Sequence, residues 1–148
     1  TWQPWLGKAL GVPDGKVLIT SKDRPGLIID VLYMNRGVIQ ERKEDVVKLI
    51  RAMGKATAWY ETHKDEGDAI MAKFWKLSPE EQRETVAGIE FMSLPNNAKF
   101  FGTTAEPGQL YKTVKMADEL WLKTGVIKKS VDAKSLVAFD TMNEAAKR

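Results

Sequence analysis

Gly15-Lys16-Val17-Leu18-Ile19-Thr20-Ser21-Lys22-Asp23-Arg24-Pro25-Gly26-Leu27-Ile28-Ile29-Asp30-Val31-Leu32 is the stretch on which the fold turns. Val12-Pro13-Asp14-Gly15 reads as a turn, with Pro and Gly supplying the special dihedrals. Residues 16–20 then read as a short strand. Arg24-Pro25-Gly26 punctuates a second time, and residues 27–34 are apolar apart from Asp30. A β-branched apolar run bounded by turn signals predicts a strand buried on both faces. Such a strand needs neighbours on each side and helices above and below. The rest of the chain supplies helices but no further confident strand. The expectation is therefore an α/β fold, predominantly helical with two or three strands, whose sheet is incomplete within these residues.

Outward from that stretch the period is helical. Pro4 and Gly11 frame a short helix over Trp5–Leu10. Val46, Leu49, Ile50, Met53, Ala56 and Tyr60 fall on one face of a helix starting near Arg36 or Glu44 and running to His63. Residues 67–76 form another. Ser78-Pro79-Glu80-Glu81 is a helix start in which Ser caps and Glu81 reaches back to close a capping box. Pro95, Asn96 and Asn97 mark residues 90–102 as a loop anchored by Phe91, Phe100 and Phe101. Leu110, Val114, Ala117 and Trp121 define a long helix from about Pro107 that Gly125 ends. A last helix starts near Thr141, with Glu144 three residues on as a second capping box.

The 148 residues suit one domain, and a 43% hydrophobic content suits a packed one. No apolar run reaches membrane-spanning length. The 23 cations interleave with 20 anions for a net charge of +3, which describes a solvated surface rather than the clustered cations of a nucleic-acid footprint. The absence of Cys removes thiol catalysis, disulfides and thiolate metal sites. One histidine, His63, cannot build a histidine metal site, and it sits among charges near a helix end, where a cation suits the dipole. There is no glycine-rich phosphate loop, nucleophile elbow or pair of carboxylates on one face. No catalytic residue, metal site or cofactor is expected.

Three residues are candidates for ligand contact. Trp2 and Gln3, beside Trp5, are either aromatic core anchors or the wall of a cleft that holds a small ligand by stacking and hydrogen bonds. Asp30, alone in its apolar run, either accepts backbone N–H bonds, pairs with Arg24 or Arg36, or meets a ligand amine or hydroxyl. The loop Ser21-Lys22-Asp23-Arg24 follows a strand, where α/β proteins place ligands, but reads more simply as a solvated turn.

Thr1-Trp2-Gln3-Pro4-Trp5, Gly15-Lys16-Val17-Leu18, Ser21-Lys22-Asp23 with Pro25-Gly26-Leu27-Ile28 and Asp30-Val31-Leu32, then Ser78-Pro79-Glu80-Glu81 and Gly125-Val126-Ile127, resemble the C-terminal half of an ABC-importer solute-binding protein. The group is the nitrate/sulfonate/taurine type, with thiamine-precursor binders as relatives. The resemblance runs along nearly all 148 residues and rests on the order of several segments, none diagnostic alone. It implies part of a type II periplasmic-binding-protein-like fold. Residues 1–5 would be the crossover from a preceding lobe, and 6–148 the closing strands and helices of lobe one. It implies a non-enzymatic role, a small-molecule solute and a transporter permease as partners, and a periplasmic or membrane-anchored extracytoplasmic location, with the export signal lying upstream. Many relatives carry Glu where this chain has Gln3, which points toward an anionic or neutral solute. Two rivals stand beside this reading. One is a thiamine-pyrimidine-synthase-like enzyme, for which His63 is the sole candidate. The other is a self-associating fragment, a homodimer through its exposed sheet edge.

Overall fold

The computed structural model describes residues 5–147. Its helices are α1 (Trp5–Leu10), α2 (Arg36–Glu41), α3 (Lys43–Thr62), α4 (Lys64–Trp75), α5 (Pro79–Ala87), α6 (Leu94–Phe101), α7 (Gln109–Lys123), α8 (Ala133–Leu136) and α9 (Phe139–Ala146), with a 3-10 turn at Ser21–Asp23. Among the described residues there is no strand, and the one β-type pairing is an isolated bridge between Gly102 and Pro107. The expected α/β fold is thereby overturned: the described residues are all-helical, and they present no sheet edge. The reason lies in pairing. Among the described residues, 16–19 and 28–34 make no backbone–backbone hydrogen bond. β propensity describes how a side chain fits a pleated surface, and without a partner strand it builds nothing.

The chain divides into two units. The first comprises residues 5–23 and 55–92 of the described chain. Here α4 packs on α5. The capping box forms as the sequence predicts: Glu81 N donates to Ser78 Oγ at 3.1 Å and Ser78 N to Glu81 Oε2 at 2.8 Å. These bonds to Ser78 hold the Glu81 carboxyl below its usual range. At the far end of α4, Lys76 turns left-handed with φ 56, and Leu77 N closes onto Ala72 O at 3.0 Å. Gly67 is buried, and the Tyr60 ring packs so close to it that a Cβ would collide with the ring. Tyr60 lies edge-on to Phe91 and donates its hydroxyl to Asp68 Oδ1 at 2.7 Å. Burial first, then that hydrogen bond, push the Tyr60 phenol up to about 12. The core of this unit is thin. Ala72 is its one buried apolar side chain among the described residues, and Gln82 on α5 is also buried, with Oε1 lacking a partner. An orphaned buried acceptor costs about 1–3 kcal/mol.

The second unit comprises residues 24–54 and 93–147 of the described chain. Here α6 packs against α7 and α9, and α7 against α8. Val46, Val47, Leu110, Ala133, Phe139, Met142 and Ala145 are its buried apolar residues. Two expected boundaries move. Residues 94–101 are a helix, not a loop: Ser93 Oγ accepts from Asn96 N at 3.4 Å and Pro95 sits in the first turn. The last helix begins at Phe139 without a side-chain cap, and Glu144 pairs with Lys43 instead of closing a box at Thr141. Buried Thr113 donates its hydroxyl to Gly26 O at 2.8 Å, tying the 24–27 turn to α7.

Asp118, buried on α7, accepts from Ser130 Oγ at 2.6 Å and Val131 N at 2.9 Å. The Ser130 hydroxyl first, then the Val131 amide, hold its carboxyl below the ordinary value. A depressed folded value stabilises the fold above the unfolded one, and the contribution disappears as pH falls through the folded value. Asp118→Asn is accordingly expected to flatten the fall in melting temperature below about pH 4. A variant tracking the wild type through that range would show that Asp118 is not a source of acid sensitivity.

Much apolar surface stays uncovered. The chain exposes 11819 Å². Two separate compact bodies of about 7 and 10 kDa would expose about 9100 Å² together, so a surplus of about 2700 Å² arises inside the units. Leu18 at 96% and Tyr33 at 88% exposure are the extremes, and both lie in the segments expected as strands.

Candidate functional site

The site begins where the apolar run ends. Asn35 caps α2, its Oδ1 accepting from Gly37 N at 2.8 Å, and this places Arg36 at the first helical position. Across from it, Asp132 caps the short α8 by accepting from Lys134 N at 3.0 Å. Ser135 Oγ turns back to Asp132 O at 2.7 Å, which leaves Ser135 O facing Arg36. Arg36 Nη2 donates to that carbonyl at 3.2 Å and joins walls 99 residues apart.

Between the walls lies an open cleft of about 400 Å³ lined by Met34, Arg36, Ile39, Gln40 and residues 135–138. That volume suits a small ligand. A guanidinium carries five N–H donors, and Arg36 uses one on Ser135, so the others face solvent or a ligand. The Gln40 amide adds both a donor and an acceptor. Among the described residues, no carboxylate lines the cleft. The arrangement can hold a planar or tetrahedral anion on Arg36 and an apolar stub against Met34, Ile39 and Val137.

Among the described residues singled out in the sequence, neither Asp30 nor His63 lines this cleft. Trp2 and Gln3 lie outside the described residues. Asp30 is exposed and pairs with neither Arg24 nor Arg36. Asp23 folds onto its own turn, accepting from Thr20 N at 2.8 Å. His63 stacks on Trp59 at 4.7 Å and sets Nδ1 3.0 Å from Trp59 O, so its ring is engaged locally at the end of α3. Among the described residues no cluster of His, Asp or Glu could hold a metal ion. No described helix is long and apolar enough to cross a membrane. Gln40 and Ser135 carry no signal in the sequence, and Arg36 stands out there only as a helix start and as a partner for Asp30. No family model, curated protein or solved structure matches the chain.

Proposed function

We propose that the chain belongs to the solute-binding component of an ABC importer, which captures a small anionic or neutral solute and delivers it to the membrane permease. The observation that carries this reading is the Arg36 cleft. It combines a guanidinium with free donors, a neighbouring amide, an apolar floor and, among the described residues, no lining carboxylate. The order of sequence segments shared with the nitrate/sulfonate/taurine group supports the same reading, as does the anion-favouring Gln3. The α/β architecture of that group forms no part of the proposal. The chain contributes a helical portion, and the apolar surface it leaves bare makes weak binding by these residues alone the expected result.

Isothermal titration with taurine, methanesulfonate and nitrate tests the proposal, with choline as a cationic control. At least one anion is expected to bind in the millimolar range, and Arg36→Met to weaken it about tenfold or more. Binding of choline at equal strength, or an Arg36→Met variant that binds as the wild type does, would sink the reading.

A further inference from the structure

We propose that Gln40 sets the charge selectivity of the Arg36 cleft, an inference that rests on the solute-binding reading of that cleft. Gln40 stands one helical turn after Arg36 on α2, and both residues line the cleft. Side chains four residues apart on a helix are neighbours on one face. A carboxylate at position 40 would therefore sit where it can pair with the guanidinium. An amide cannot form that ion pair, so it leaves the positive charge of Arg36 to an incoming solute. It also offers two N–H donors of its own to the same anion.

The rest of α2 is arranged to the same effect. Arg36 joins none of the ion pairs found among the described residues. Its bond to the opposite wall goes to a neutral carbonyl, Ser135 O, which leaves its charge uncompensated. The acid of α2 is Glu41, and it lies over Gly37 instead: its Oε1 comes 3.8 Å from where a Cβ on Gly37 would stand. Glu41 does not line the cleft. Position 40 is thus the place on this helix where one change of side chain, from amide to carboxylate, would cancel the cation that the cleft presents.

An NMR titration of the whole chain tests this with two probes of nearly equal shape, anionic methanesulfonate and neutral methanesulfonamide. In the wild type the Gln40 side-chain amide resonance should move as methanesulfonate is added. Gln40→Glu should weaken methanesulfonate about tenfold, because a carboxylate next to the guanidinium repels the anion and competes for the same donors. It should leave methanesulfonamide within about twofold, since a carboxylate still accepts from the sulfonamide N–H. Gln40→Met removes the amide without adding charge and should cost methanesulfonate only about threefold. Glu41→Gln should change methanesulfonate by less than about twofold, because an exposed charge outside the cleft is screened. Gln40 is exposed, so each variant at that position should melt within about 2 °C of the wild type. Three results would overturn the assignment while leaving the solute reading in place, provided the wild type binds methanesulfonate. They are a Gln40→Glu variant that holds methanesulfonate as the wild type does, one that loses methanesulfonamide equally, and a Glu41→Gln variant that tightens methanesulfonate as much as Gln40→Glu weakens it. A wild type that binds no anion would sink the solute reading and this assignment together.

Discussion

Gly102→Ala is expected to destabilise the second unit by about 3 kcal/mol or more, the largest effect of any single methyl group added to this chain. Gly102 has φ 70 and ψ −148, a region that essentially only glycine occupies. A Cβ there would collide with Glu106 O and Gly108 N, both backbone atoms with no freedom to swing aside. The surrounding turn is closely tied. Thr103 N donates to Glu106 O at 2.9 Å, Gly108 N to Phe101 O at 2.8 Å, and Asn143 Nδ2 to Gly102 O at 2.8 Å. The turn therefore sets how α6 meets both α7 and α9, and strain at one residue reaches three helices. Thermal unfolding followed by circular dichroism should show a drop of roughly 10 °C or more. A shift of a degree or two would mean that the turn relaxes freely and does not organise the unit.

Arg51→Met should cost about 2–3 kcal/mol, because Arg51 closes the end of α9. The last carbonyls of a helix have no partner within it. Here Arg51 Nε donates to Ala145 O at 3.1 Å, and Nη2 donates to Glu144 O at 3.0 Å and Lys147 O at 3.1 Å. One planar guanidinium spans three carbonyls, and a lysine ammonium cannot cover the same spread. Arg51→Lys should consequently recover only part of the loss. Glu144 sits at the same junction. The Lys43 ammonium beside it holds its carboxyl below the usual range, while Glu144 raises Lys43. Amide exchange through residues 139–147 gives the decisive reading. If protection there is unchanged in Arg51→Met, the three bonds are ornamental.

What the sequence made legible was local chemistry. Ser78 and Glu81 are three residues apart, and their reciprocal bonds form whatever lies beyond them. The same logic is present at Ser93, but Pro95-Asn96-Asn97 signals a loop because those residues are common in turns. Proline in the first turn of a helix and a serine cap outweighed that composition. Residues 27–34 failed for a different reason. Their apolar run states a demand for cover, and nothing in a local pattern says whether the cover lies within the same residues. The Arg36 cleft was illegible because its walls come from residues 36 and 135, joined by one hydrogen bond that no spacing rule anticipates. Trp2 and Gln3, expected as a cleft wall, lie outside the described residues.

That Ala72 is the lone buried apolar side chain among the described residues of the first unit has a consequence for how the molecule comes apart. Cooperative unfolding depends on side chains that lose their shielding together, and the 55–92 helices share almost none. Their opening should cost little and should precede the loss of the Leu110, Phe139 and Met142 cluster. Heat or mild denaturant would then melt the chain in stages, with the far-UV signal of α4 and α5 fading first and the C-terminal helices surviving as the last ordered remnant.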